Sequence, residues 1–542
     1  MSMKKNIYLI DCTLRDGGYY NNWDFSTSLI NNYINSVHKS GVNYIEIGFR
    51  SFVDQIYKGP CAYSSDYFLS SLHIPKKVKI GVMINGSDIL NYKSGKVLSN
   101  IKKLFPKKNN TIKFIRVACH LDEFKKVVVI SRYLKKRGYL VIFNLMQCSE
   151  RSEEEIIQIG EIAAKYPIDV LYFADSMGGM SPSQITRIVH LLRLNWKKDI
   201  GIHTHDNMGR AFANIDQAVS EGVNWIDGTV MGMGRGPGNA KTEYLLINYQ
   251  EYFNKKIDPL PILNLIDVFF KPLHSLYDWG TNVFYFLSGK HGIHPTFIQD
   301  ILKDNRYSNS DKLLFIDHLR KYRTDKFDKS LLDVDKKLYF SKIKKNDKKK
   351  WTPSKLLYKK NLLIIGNSPE IKENLNFIES FIKREKPIVF GLNTQKSINE
   401  KLINYRVVCN IFRLLTEKQK YKFITTPFII PLERLENNIL KYLSKNKLLN
   451  FDLRVSNEKF QFKKNSVVCP NSLVISYALA IAASGNVSNI ILAGFGGYDV
   501  NDPRHLEMQR TFSIFRSSSK IKITSLTPTK YSMLSNISYV KD

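Results

Sequence analysis

Eight short apolar runs, each followed by a helix-like stretch, fill the first half of this 542-residue chain. They are Ile7–Asp11, Asn43–Gly48, Val78–Ile84, Ile112–Ala118, Tyr139–Leu145, Asp169–Ala174, Ile200–Thr204 and Trp225–Val230. All are rich in Ile, Val, Phe or Tyr, the residues that suit strands. Between them lie helical stretches such as Phe25–Ser40 and Ser152–Lys165. Ser181-Pro182-Ser183-Gln184 reads as a helix start, with Pro just inside. Eight β–α repeats in roughly 250 residues match a (β/α)8 barrel. The periodicity alone also fits an open, doubly wound sheet.

The polar residues decide between these two folds. Asp11, Arg15, Asp16, Glu46, Arg116, Asn144, Asp175, His203, His205 and Asp227 all stand at or just beyond strand ends. In a barrel those ends converge on one mouth, whereas an open sheet spreads them along an edge. We therefore expect an N-terminal (β/α)8 TIM barrel. Within it, His203 and His205 stand two apart on a strand, so both imidazoles aim to one side. Asp16 adds a carboxylate. Two imidazoles and a carboxylate suit a divalent metal. An oxygen-rich shell favours Mn2+ or Mg2+, with Zn2+ as the alternative. Arg15 places a fixed positive charge beside the set.

Composition narrows the setting. No run of 18 apolar residues occurs, so no transmembrane helix is expected. Six cysteines are scattered without CxxC spacing, and the N-terminus lacks a signal-peptide pattern. Both point to a reduced, cytoplasmic protein. The net charge of +32 comes from lysines spread along the whole chain, and no nucleic-acid-binding signature accompanies them. Specific nucleic-acid binding is therefore not expected. A homo-oligomer is compatible with the sequence.

The second half has its own pattern. Residues 306–355 read as a basic linker or helical extension, including the charge run 342–350. From 356 to 542 a second αβ pattern begins. Its expected strands are Asn361–Ile365, Pro387–Leu392, Arg406–Cys409, Lys422–Thr425 and Asn489–Ala493, with a helix over Asn471–Ser484. This is a smaller, Rossmann-like domain. The turn at Gly366, Asn367 and Ser368 follows a strand, where backbone N–H groups can cradle phosphate.

The glycine-rich segment Gly232–Asn239 follows the eighth barrel strand. Together, Asp11–Gly18, His203–Asn207 and Gly232–Asn239 resemble the motifs of the metal-dependent DRE-TIM metallolyases. That superfamily includes HMG-CoA lyase, isopropylmalate and citramalate synthases, and 4-hydroxy-2-oxovalerate aldolase. The resemblance covers the barrel, residues 1–305. It implies a divalent metal on Asp16, His203, His205 and Asn239, with Arg15 stabilising an enolate oxygen. It also implies catalytic roles for Asp175 and Glu46, for which a purely orienting role is the alternative.

Among these relatives, the aldolases look closest. The loop after strand eight lacks the cysteine of HMG-CoA lyases, and Gly18-Tyr19-Tyr20 replaces the Glu-Gln of the condensing synthases. The aldolases carry a His base three residues after the metal-binding Asp, and here that position is Tyr19. Phenols ionise near pH 10, so Tyr19 needs help from its surroundings to act as a base. Tyr20, His120 and His294 are the other candidates. The second domain is faintly similar to MptE-like pyrophosphokinases and bacterial sialyltransferase-type domains. That resemblance implies a nucleotide or nucleotide-sugar partner at Gly366, Asn367 and Ser368. The expected activity is a C–C lyase acting on a 2-oxo acid and releasing an aldehyde, in surface carbohydrate synthesis. The alternatives are an acyl-CoA-dependent condensing transferase and a non-catalytic basic binding protein.

Overall fold

The computed structural model describes residues 6–536 except 54–56, 93–95, 254–255, 304–308, 321–349, 411–413, 415–417, 422, 435–442, 444–446, 457–458 and 500–501. Two compact units divide the chain, one built on residues 1–303 and the other on 328–542. The first is a closed barrel of eight parallel strands. These are β1 (Tyr8–Asp11), β2 (Tyr44–Phe49), β3 (Lys79–Asn85), β4 (Ile112–His120), β5 (Leu140–Met146), β6 (Val170–Asp175), β7 (Asp199–Thr204) and β8 (Trp225–Gly228). Closure is made by β1 against β8, with Ile10 opposite Asp227.

Alternation along the strands builds the barrel interior. A lower layer of Ile10, Tyr44, Phe114, Ile142, Tyr172 and Trp225 packs together. Burying large apolar side chains of this kind contributes roughly 1.5–3 kcal/mol each. Gly201 makes room for this floor, since a Cβ there would lie 2.2 Å from the Tyr172 ring. Two residues further along, Glu46, Arg116, His203 and Asp227 follow Tyr44, Phe114, Gly201 and Trp225. Period two puts them on the same inward side, one layer nearer the mouth.

The surrounding helices form where capping and periodicity agree. In Thr27–Lys39 the Ser26 hydroxyl accepts from the Leu29 N–H. Its buried face is Leu29, Ile30, Tyr33, Ile34 and Val37, which is helical spacing. Pro182–Asn195 starts with Ser181 and Gln184 as a capping box and Pro182 in the first turn. Beyond β8, helices Val283–Lys290 and Pro295–Lys303 follow within the same unit.

The second unit holds an eight-stranded, wholly parallel sheet. Its strands are β9 (Asn361–Ile365), β10 (Ile388–Leu392), β11 (Tyr405–Val407), β12 (Phe428–Ile430), β13 (Leu448–Asn450), β17 (Asn489–Ala493), β18 (Lys522–Ser525) and β19 (Ser535–Asn536). The order is β13-β12-β11-β10-β9-β17-β18-β19. A smaller sheet, which the sequence pattern did not signal, comprises β14 (Asp452–Val455), β15 (Gln461–Phe462) and β16 (Ser466–Cys469). Helix Val474–Ser484 is apolar on all sides and contacts both sheets, which explains its composition.

One expected strand moves. Lys422–Thr425 is not a strand in its described residues; the strand begins beyond Pro427, at Phe428. Phe428, Ile429 and Ile430 are fully buried, whereas Phe423 is 82% exposed. An interior parallel strand needs apolar residues on both faces, and only the later run supplies them. The basic run at 342–349 lies outside the described residues. Among the described residues, no helix is long and apolar enough to cross a membrane.

Candidate metal centre at the barrel mouth

Asp16 lies on a short helix, Thr13–Gly17, that follows β1 directly. The Asp11 carboxylate anchors this turn by accepting from the Thr13 N–H at 2.9 Å and the Thr242 hydroxyl at 2.6 Å. Trp23 Nε1 donates to the Arg15 carbonyl at 2.8 Å, which fixes the far side. The helix brings Asp16 Oδ2 to 3.8 Å from both His203 Nε2 and His205 Nε2. All three side chains are buried, and their ligand atoms lie within 4.8 Å of one another.

The other ring nitrogens explain why the two Nε2 atoms converge. His203 Nδ1 donates to Asp227 Oδ2 at 2.8 Å, and His205 Nδ1 donates to the Asp175 carbonyl at 3.0 Å. A neutral ring that donates through Nδ1 keeps its Nε2 lone pair for a metal. Burial, and then the neighbouring His203, hold the His205 imidazole down at about 3. Burial works to raise the Asp16 carboxyl, but Arg15 and both imidazoles outweigh it and hold it well below the usual range. The set therefore holds an ionised carboxylate and a neutral His205 imidazole, with His203 Nε2 facing them.

Two atoms show that the set fits a cation. His203 Nε2 and Asn239 Oδ1 are buried without a hydrogen-bond partner among the described residues. Unsatisfied buried polar atoms are costly, and a divalent ion would satisfy both. Asn239 is held in place by main-chain pairing with His205, and its Nδ2 donates to Asp16 Oδ2. A second cluster of Cys12, His203 and Asp227 also lies close together. Burial pushes the Cys12 thiol far up, and its Sγ donates to the Gly228 carbonyl, so it stays protonated.

Behind the ligands runs a closed ring of buried charged and polar side chains. Arg15 Nη1 donates to Asp16 Oδ1 at 2.7 Å and Arg15 Nε to Glu46 Oε2 at 2.8 Å. Glu46 Oε1 meets Arg116 Nε at 3.0 Å, and Arg116 Nη2 donates to Asp227 Oδ1 at 3.0 Å. Asp227 then holds His203, which returns to Asp16. The Arg116 guanidinium also lies 4.5 Å from the Tyr172 ring centroid. Arg15 Nη2 has no partner in this ring or elsewhere among the described residues. It is the donor left over for an incoming anionic oxygen.

The remaining expected residues sort differently. The Asp175 carboxylate accepts from the Gly179 and Met180 N–H groups, while its main-chain carbonyl positions His205. Burial raises that carboxyl to about 7. The Tyr20 hydroxyl donates to the Gly236 carbonyl at 2.9 Å, so it is already engaged. Tyr19 is 36% exposed at the rim, its ring edge-on to Trp23 and Phe49. His294 lies near enough to Arg235, His205 and His120 for their charges to act on it; burial first, then these groups, push its imidazole well down. Arg116 and Asp227 stood at strand ends in the sequence, but nothing local paired them. Arg235 was visible only as part of the glycine-rich loop.

In the second unit, the Gly366 N–H donates to the Ala493 carbonyl at 2.8 Å and the Ser368 N–H to the Gly494 carbonyl at 3.2 Å. Those two amides are used inside the fold, so they do not form the expected phosphate cradle. The Ser368 hydroxyl donates to Glu370, and a Cβ on Gly496 would lie 2.0 Å from the same carboxylate.

Residues 98–263 match the family model described as HMGL-like. Over these residues the barrel is similar to the HMGL-like family of aldolases and lyases. A 4-hydroxy-2-oxovalerate aldolase of Geobacillus thermodenitrificans is 26% identical over 256 residues, covering 45% of this chain and 70% of that protein. An oxaloacetate decarboxylase of Mycobacterium tuberculosis is 25% identical over 244 residues, covering 45% and 69%. A solved N-terminal domain from Bacteroides vulgatus is 30% identical and covers 56% of this chain and 97% of that one, with a TM-score of 0.49. The HMGL-like match falls within the barrel unit.

Proposed function

We propose that the barrel is a divalent-metal-dependent aldolase that cleaves or forms a C–C bond through a pyruvate-type enolate. The observation that carries this reading is the buried Asp16, His203 and His205 set beside the unpartnered Arg15 Nη2. Asp16, His203, His205 and Asn239 would hold Mn2+ or Mg2+. A cation held there would supply Lewis-acid charge to the 2-oxo group of a substrate. Arg15, kept ionised and aimed by Asp16 and Glu46, donates to the oxygen on which negative charge develops. Asp227 and the Asp175 carbonyl keep the two imidazoles in the ligating tautomer. The named activities of the two curated relatives above both fit an enolate of pyruvate, and this supports the reaction class more than any one substrate.

Full-length protein with Mn2+ is expected to release pyruvate from 4-hydroxy-2-oxovalerate, followed by coupled lactate dehydrogenase. EDTA should stop the release and added Mn2+ restore it. Release that continues unchanged in excess chelator would sink the metal mechanism.

For the second unit we propose a nucleotide or nucleotide-sugar site. Strand addition reverses between β9 and β17, and open α/β sheets bind small molecules at such a switch point. Side chains there, Asn367 among them, would hold the ligand in place of the turn amides. Calorimetry of the full chain with nucleoside mono- and diphosphates should show saturable binding that Asn367→Ala weakens. No binding across all four common bases would remove this proposal.

A further inference from the structure

One cation at the mouth has no ion-pair partner among the described residues. Arg235 sits on the glycine-rich loop after β8, partly buried. Its Nε has no hydrogen-bond partner, and no carboxylate pairs with it among the described residues. The two other arginines of the mouth described above are matched: Arg15 by Asp16 and Glu46, Arg116 by Glu46 and Asp227. A half-desolvated guanidinium without an acid is an arrangement that an anionic ligand completes.

Its position shows which part of a ligand it would meet. The Arg235 guanidinium lies 5.3 Å from the Tyr19 ring centroid. Tyr19 is a rim residue, 36% exposed, whereas Arg15 is 5% exposed in the floor of the mouth. The residue before Arg235 lies against the candidate metal set, since a Cβ on Gly234 would be 3.0 Å from Asp16 Oδ2. The loop is pinned in place: the Gly236 carbonyl accepts from the Tyr20 hydroxyl and from the Gly280 N–H at 3.3 Å. A Cβ on Gly236 would lie 3.5 Å from Pro295. Two guanidinium groups are thus fixed at two depths, one beside the ligands and one at the rim.

We infer that Arg235 selects an aldehyde partner carrying its own anionic group, a carboxylate or a phosphate, distal to the carbonyl. This rests on the aldolase reading above. The 2-oxo acid half goes to Arg15 and the metal ligands. The aldehyde half extends outward, and its anion is paired by Arg235. A simple uncharged aldehyde leaves that guanidinium unpaired.

Condensation of pyruvate with a panel of aldehydes tests this on the full chain loaded with Mn2+. The panel is acetaldehyde and butanal as neutral probes, succinic semialdehyde as carboxylate and glycolaldehyde phosphate as phosphate. We expect kcat/KM for at least one anionic probe to exceed both neutral ones by roughly 10- to 150-fold, the worth of one charge-assisted hydrogen bond. Arg235→Met should reduce that ratio to near one, and Arg235→Lys should keep part of it. Which anionic arm wins identifies the group. Neutral and anionic probes used within threefold of each other by the wild type would overturn the inference and leave the aldolase reading standing. So would a ratio that survives in Arg235→Met. Failure to condense any aldehyde, with 4-hydroxy-2-oxovalerate also uncleaved, would remove the aldolase reading itself and the inference with it.

Discussion

Alanine at both His203 and His205 is expected to abolish retention of divalent metal and to lower metal-dependent pyruvate release by roughly 1,000-fold or more. The size of the effect follows from geometry. Three ligand side chains converge from β7 and the turn after β1, and removing two leaves a single carboxylate and an amide. A carboxylate already paired to Arg15 does not hold Mn2+ by itself. Asp227→Asn should be milder, about 10- to 100-fold, because it disturbs the tautomer and aim of His203 while leaving the ligand present. Metal content by plasma emission and turnover on the same preparations check both. Far-ultraviolet circular dichroism should stay unchanged in the double variant, since neither imidazole packs in the apolar floor of the barrel. Full activity with metal retained in the double variant would show that the chemistry lies elsewhere.

Arg116→Ala is expected to destabilise the fold by about 3–5 kcal/mol, because it strands two buried carboxylates, Glu46 and Asp227, without their shared cation. All three side chains are essentially inaccessible. The exposed pair Lys135–Asp169 is the control, and its loss should cost less than about 1 kcal/mol. Urea denaturation at neutral pH measures both. The acid side carries a sign as well. Burial raises the Asp227 carboxyl, but Arg116 and His203 win and hold it at about 2, below the ordinary 3.8. A folded value below the unfolded one means stability present above about pH 4 and lost as pH falls toward 2. In Arg116→Ala that contribution should shrink or reverse, so the variant's stability should fall less steeply with acid in that window than the wild type's.

Much of the barrel was legible because strand and helix periodicities disagree so clearly. All eight of its strands start within one residue of where the apolar runs do, and β4 and β8 start on the expected Ile112 and Trp225. The ligand set was legible for a related reason: spacing of two on a strand fixes a common direction without any knowledge of the fold. Asp175 was harder. Its place beside the site followed from the sequence, but the carboxylate turns to the Gly179 and Met180 amides, and only its main-chain oxygen reaches His205. Such a choice is made by a loop, not by a pattern. The link from Arg116 to Asp227 spans 111 residues, and no local signal carries it. In the second unit, β12 was displaced because Pro427 separates two apolar runs and burial favours the later one. The phosphate cradle failed because neighbouring loops in the folded sheet consume the amides that a turn seems to offer.

The charge ring has a consequence for how the candidate metal site comes into being. Its members are drawn from the turn after β1 and from β2, β4, β7 and β8, which are the first and last strands of the barrel and three between them. No partial barrel holds all of them. A chain that has laid down seven strands still lacks Asp227, so His203 has no partner to set its proton and Arg116 is half-matched. If the set holds a cation as proposed, metal affinity would report on closure, because the full site exists only in a chain whose ends have met. A truncated or stalled translation product would carry the visible motifs near its N-terminus and yet be unable to capture the ion.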